Sequence, residues 1–213
     1  MTGFRSTIAA AVIAGLAASG PGLEASSGAG GADRVTLRAR PLVVSSSVRV
    51  TLFGSLEPGR AGEDIKIQAK DCGLDSFRVV AGAITEEGGE WSTFYFGAII
   101  NTTLRAVWRD ATSEEVTIRK RASVTLRKRS GRFEVAAWGR LVWRKRVSIQ
   151  YFDRRLGAWR AVKSVLLTES EPRGRALATF TVQLPKGTRI RAVFPRSQAG
   201  PCFITGTSNT LTT

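Results

Sequence analysis

Several kinds of residue in this sequence have the chemistry to act: two cysteines, some carboxylate pairs, a lysine beside a serine, and a series of arginine clusters. Histidine is absent altogether. Its absence removes the commonest general base and metal ligand. It also rules out a Ser-His-Asp or Cys-His site within the chain. Carboxylate and serine-lysine catalysis survive that test. Glu86-Glu87 and Glu114-Glu115, however, sit in or beside turn sequences and read as solvated. Asp64, Asp71 and Asp75 could form a weak calcium site, but they lack the spacing of a calcium-binding loop. The stretch EEGGE at 86–90 precedes no helical pattern, so it reads as a hairpin and not as a phosphate loop. Lys163-Ser164 has no motif around it, and the sequon Asn101-Thr102-Thr103 reads as a turn. The expectation is a non-enzymatic chain without cofactor or metal.

The arginines are the strongest chemical signal, and their placement is lopsided. Residues 33–121 carry 13 Lys and Arg against 12 Asp and Glu, a net of +1. Residues 122–213 carry 18 against 4, a net of +14. The densest clusters are Arg127-Lys128-Arg129 with Arg132, then Arg144-Lys145-Arg146, then Arg154-Arg155. Arg160, Arg173, Arg175, Arg189, Arg191 and Arg196 add to them. A surface of this kind attracts polyanions, with an affinity that falls as salt rises. Arginine suits phosphate and carboxylate because its planar fork donates two parallel hydrogen bonds.

Sequence pattern places these residues on a scaffold. The opening MTGFRSTIAAAVIAGLAASG combines a positive start at Arg5 with an Ala-rich apolar stretch from Ile8 to Ala18 and small residues after it. This is the grammar of a secretory signal peptide, expected over 1–25. The apolar run falls short of the ~20 residues that span a bilayer, so no integral membrane span is expected after its removal. Residues 26–33 read as a flexible linker.

Beyond the leader the chain repeats itself. VTLRARP (35–41) matches VTLRKRS (124–130), and VRVTLFGSL (48–56) matches FEVAAWGRL (133–141). IKIQAKD (65–71) matches VSIQYFD (147–153), and FRVV (77–80) matches WRAV (159–162). WSTF (91–94) matches LATF (177–180), and TTLRAVW (102–108) matches TRIRAVF (188–194). The order is preserved and the spacing stays near 86 residues, so the chain is read as a tandem duplication, 34–121 and 122–213. The matched strings are short and β-branched, and they alternate apolar with polar residues, which is the period of a half-buried strand. Expected strands in the first copy are 35–40, 47–54, 64–70, 77–84, 91–96, 102–109 and 114–119. In the second they are 123–128, 132–138, 146–152, 159–166, 176–183, 188–195 and 208–212. Seven short strands in about 90 residues imply an all-β fold of two tandem Greek-key β-sandwiches.

The V-T-L-R opening, the G-x-L after the second strand, the I-Q strand, the W-R-x-V strand and the R-A-V-[WF] strand resemble bacterial immunoglobulin-like domains of secreted and surface proteins. The resemblance covers residues 35–213. It implies the sandwich fold and an extracytoplasmic location, and it leaves function open because this fold serves many unrelated tasks.

That topology makes the cysteines informative. Cys72 ends the third strand of the first copy, and Cys202 lies between strands six and seven of the second. Both loops face the short linker between the copies. An inter-domain disulfide is therefore expected, and an oxidising compartment would permit it. The alternatives are two buried reduced thiols or a reactive thiol, the latter with no histidine to activate it.

The functional expectation is an exported structural or adhesive binding protein at the cell surface or in the medium. Its basic second half would offer a polyanion site on Arg127, Lys128, Arg129, Arg132, Arg144, Lys145, Arg146, Arg189 and Arg191. Arg189 and Arg191 alternate with Ile190 and Ala192 and share a solvent face, whereas 127–132 and 144–146 need not share an end of the sandwich. Candidate partners are an anionic wall polymer, an acidic polysaccharide, anionic lipid, nucleic acid or another surface protein. The plain alternative is a solvated basic surface without a ligand. An accessory subunit of an extracellular enzyme is a further option. Trp143 and Trp159 could stack on sugars or bases, while Trp138 aligns with Phe53 and is expected in the core.

Overall fold

Alternation decides the elements here, as in TTLRAVW, where every second residue from Thr102 to Trp108 is buried. The computed structural model describes residues 33–45, 49–139 and 142–213. The expected leader and nearly all of the expected linker lie outside the described residues, as does the start of the second expected strand. In the first copy the strands are β1 (Arg34–Val35), β2 (Arg38–Arg40), β3 (Val43–Val44), β4 (Val50–Glu57), β5 (Asp64–Asp71), β6 (Arg78–Ile84), β7 (Glu90–Tyr95), β8 (Thr102–Trp108), β9 (Ala111–Thr112) and β10 (Val116–Lys120). The second copy has β11 (Ser123–Arg129), β12 (Arg132–Trp138), β13 (Arg146–Asp153), β14 (Ala158–Leu166), β15 (Glu169–Glu171), β16 (Arg175–Phe180), β17 (Arg189–Phe194), a one-turn α1 (Arg196–Ala199) and β18 (Gly206–Thr212). No helix among the described residues is long and apolar enough to cross a membrane.

Each copy builds two sheets. In the first, β4 pairs with β1 and β2 on one edge and with β7 on the other. The facing sheet runs β3-β10-β8-β5-β6, with β9 added to β8. In the second, the order β11-β12-β16-β15 faces β14-β13-β17-β18. The chain therefore passes between sheets after β2, β3, β4, β6 and β7, and again after β12, β14 and β16. These are the crossings of an immunoglobulin-like Greek key. Two hydrophobic clusters result. One contains Leu52, Ile67, Leu104 and Ile118, the other Val135, Ile149, Ile190 and Phe194.

One glycine in the G-x-L string is required by packing. A Cβ on Gly54 would lie 2.0 Å from the Thr36 carbonyl oxygen and 2.7 Å from the Trp91 ring. Only a bare backbone lets β4 sit against the break between β1 and β2.

Two details of the repeat differ from expectation. Within β7 and β16 the matching phrase is displaced. Leu52 pairs with Thr93, whereas Ala137, its counterpart, pairs with Ala176 and not with Thr179. Phe94 accordingly faces outward, with Arg49 over its ring at 4.3 Å, while Phe180 is buried against Phe133. Trp138 is not in the core. It is half-buried on the outer sheet face beneath Arg175, as Phe53 is beneath Arg40.

The copies are joined at a built junction. Cys72 and Cys202 form a disulfide with Cα atoms 5.4 Å apart. Beside it the Asn101 amide donates to the Cys202 carbonyl at 2.9 Å, and Asn101 Oδ1 accepts from the Lys120 amide at 2.8 Å. Arg121 and Ile204 form a parallel bridge. Asn101, formally a sequon, thus spends its side chain on the junction.

Candidate functional site

Strand direction sorts the predicted cations. β11 leaves the junction and β12 returns to it, so the hairpin carrying Arg127, Lys128, Arg129 and Arg132 lies at the far end of the second sandwich. Arg144 and Lys145 lie between β12 and β13, and Arg146 opens β13, all at the junction end. Strands of seven residues put about 20 Å between the two ends. β17 starts from the far end, so Arg189 and then Arg191 belong with the hairpin's end of the molecule. The structure therefore divides the predicted set and does not gather it into one patch.

The clusters also differ in how they are held. Arg129 is drawn onto Glu134 at 3.1 Å, and Glu134 binds Arg175 at 3.0 Å on its other oxygen. Arg175 also pairs with Glu171. That network occupies the outer face of the β11-β12-β16 sheet and partly neutralises it. Lys128 points toward the Phe133 ring at 5.9 Å. Arg144 has a left-handed backbone, with φ of 60°, and covers the exposed Trp143 ring at 4.5 Å. The Arg146 amide donates to Gln198 Oε1 at 2.9 Å, fixing the start of β13 to α1.

The outer face of β13, β14 and β17 is more ordered. Arg191 Nε donates to Gln150 Oε1 at 2.9 Å, and its guanidinium lies over Trp159 at 4.2 Å. Arg189 lies over Phe152 at 4.2 Å and reaches Trp159 at 5.9 Å. Phe152 and Trp159 are a cross-strand pair and meet edge to face at 5.4 Å. Burial lowers the Arg191 guanidinium below the usual arginine value while leaving it a cation. Loop 154–157 and the 184–188 segment flank this face at the far end. Between them is an open groove with Arg154, Arg155 and Lys186 on its walls and Asp153 at its base. Asp153 is already occupied: it accepts the Arg155 amide at 3.0 Å and pairs with Arg160 at 3.9 Å.

The first sandwich repeats this arrangement. Arg105 Nε donates to Gln68 Oε1 at 2.9 Å, and Arg105 lies over Phe77 at 4.0 Å. Lys70 approaches the same ring at 4.7 Å. Asp71 pairs with Arg78 at 3.0 Å, as Asp153 does with Arg160, and that contact raises the Arg78 guanidinium above its ordinary value. The I-Q, [FW]-R-x-V and R-A-V phrases of the repeat therefore converge on one motif: a glutamine, a ring and an arginine stacked on it. Gln68, Phe77, Gln150 and Phe152 were not singled out from the sequence. Their signal was that the three phrases recur together.

Among the described residues no group of three or more Cys, Asp or Glu side chains is placed to hold a metal ion. Asp71, one of the candidate calcium ligands, is committed to Arg78 and to the Thr102 hydroxyl at 2.8 Å.

No protein-family model matches the sequence, and no curated protein matches it significantly. Solved structures with a similar course include a tetra-tandem repeat from the extending region of a large adhesion protein and a cytokine receptor complex. The first is 11% identical with a TM-score of 0.37, covering 85% of this chain and 49% of its own. The second is 13% identical with a TM-score of 0.33, covering 84% and 93%. This chain thus spans about half the length of the adhesion repeat region. At these values neither likeness bears on what the chain binds.

Proposed function

We propose that this chain is an exported, non-enzymatic structural or adhesive protein of the cell surface or the surrounding medium. The near-neutral first sandwich acts as spacer or partner face, and the basic second sandwich contacts an anionic polymer. The observation that carries the reading is the state of the second sandwich's cations. Among the described residues, ion pairs engage Arg129, Arg160 and Arg175 there, and none of Arg127, Lys128, Arg132, Arg144, Lys145, Arg146, Arg189 or Arg191. Unneutralised arginines on a fixed scaffold recruit oxyanions at little ordering cost. The disulfide supports an oxidising compartment, and the leader grammar supports export.

The test is binding of the full chain to an anionic wall polymer across a salt series. The expected result is capture at low salt that is lost by about half-molar salt, where screening is nearly complete. Salt-insensitive capture of a protein would replace this reading with a protein adhesin. Turnover of a wall substrate by the purified chain would overturn the non-enzymatic assignment.

A further inference from the structure

The geometry points to a phosphodiester-binding site on the outer face of β13, β14 and β17, with Arg189 and Arg191 as its two forks. This deepens the polyanion reading above and rests on it. An exposed arginine pays side-chain entropy to hold a ligand. Arg189 and Arg191 are already held, each with a ring against its guanidinium, and Arg191 also by Gln150. A guanidinium donates in its own plane. Among the described residues no side-chain hydrogen bond or ion pair engages the Arg189 guanidinium, and the Gln150 contact uses only Nε of Arg191, so both keep in-plane donors for a ligand.

Spacing adds direction. Two residues apart on one strand, the two arginines leave the backbone of β17 about 7 Å apart on the same face. That interval is comparable to successive phosphates on an extended polyol-phosphate chain. The line continues into the far-end groove, where Arg154, Arg155 and Lys186 supply further donors; its one carboxylate, Asp153, is engaged by Arg160 and by the Arg155 amide.

The rings decide which polyanion. Single-stranded nucleic acid binds by stacking bases on aromatic side chains, and sugar rings use aromatic faces in the same way. Phe152 and Trp159 are both half-buried and each already carries a guanidinium. The site therefore offers forks and charge, not bare stacking surface. Its ligand class is a linear phosphodiester polymer without bases, of which poly(glycerol phosphate) is the simplest.

The experiment measures binding of the full chain to poly(glycerol phosphate), to oligodeoxythymidylate and to polygalacturonate at matched charge over a salt series. The preferred ligand is expected to be poly(glycerol phosphate). The R189Q/R191Q variant should lose about tenfold in affinity and about two units of the salt slope. R189K/R191K keeps the charge but loses the forks, and should bind less well than the parent. R34Q/R38Q, an equal charge loss on the first sandwich, should bind as the parent does. Unchanged thermal unfolding of each variant confirms that the sheet is intact. Equal loss from R144Q/R146Q, preference for the oligonucleotide or polygalacturonate, or full rescue by lysine would overturn this site while leaving the general polyanion reading standing. Failure to bind any of the three polymers at low salt would overturn both.

Discussion

The two sandwiches share a frame and differ in what they display on it. Ile67 and Ile149 hold equivalent central positions, each opposite an alanine of the neighbouring strand, Ala106 and Ala192. Gln68-Arg105-Phe77 and Gln150-Arg191-Trp159 are the same motif with the same 2.9 Å hydrogen bond. Around that motif the sequence has diverged. Thr103 stands where the second copy has Arg189, and Lys70 where it has Phe152. Eleven acidic residues balance the first copy, while four serve the second. The difference shows what each residue set is for. Buried alternation and the stacked arginine belong to the frame, and the surplus arginines belong to the surface of one copy.

The largest effect should come from the link between the copies. Replacing Cys72 and Cys202 together by alanine releases a loop closed across 130 residues of sequence separation. It should cost about 4–5 kcal/mol in the chain-entropy model, read as a lower denaturation midpoint. A loss under about 1 kcal/mol would mean that the hydrogen bonds at Asn101 and Ile204 already hold the junction. Next in size, Ile67→Ala and Ile149→Ala should each cost about 3 kcal/mol, since both side chains are fully buried. Unequal losses would show that one copy is packed less well than the other.

Smaller effects sharpen the shared motif. Arg105→Ala and Arg191→Ala should each cost about 1 kcal/mol through the lost stack and hydrogen bond. Only Arg191→Ala should also weaken polymer binding. The smallest effect concerns Lys120, buried beside the junction, whose pKa burial holds below the ordinary lysine value. The unfolded chain binds this proton more tightly than the folded one. Stability should therefore rise with pH between the lowered folded value and the ordinary lysine range, and not fall. Lys120→Met should flatten that rise relative to the parent in denaturant midpoints taken across alkaline pH.

Much of the frame was legible because a period of two leaves little choice. A one-residue slip would turn Ile65 and Ile67, or Ile190 and Ala192, to solvent. The repeat added order, and order placed both cysteines at one junction. The phrase match misled in WSTF and LATF. Register there is set by the cross-strand partners Leu52 and Ala137, not by likeness of residues, so Phe94 and Phe180 ended on opposite faces. The candidate site was half legible. Charge density found the arginines but gave equal weight to 127–132, 144–146 and the pair on β17. Separating them required strand direction. Distinguishing Arg189 and Arg191 required partners that carry no charge, namely Gln150, Phe152 and Trp159.

The most direct test of the central claim is a residue-resolved titration of the full chain with poly(glycerol phosphate), followed by backbone amide chemical shifts. Perturbations should be concentrated in residues 148–160 and 184–193, with the first sandwich unmoved. Shifts of equal size at Gln68, Arg105 and their neighbours, or shifts confined to 142–146 at the junction end, would contradict the claim.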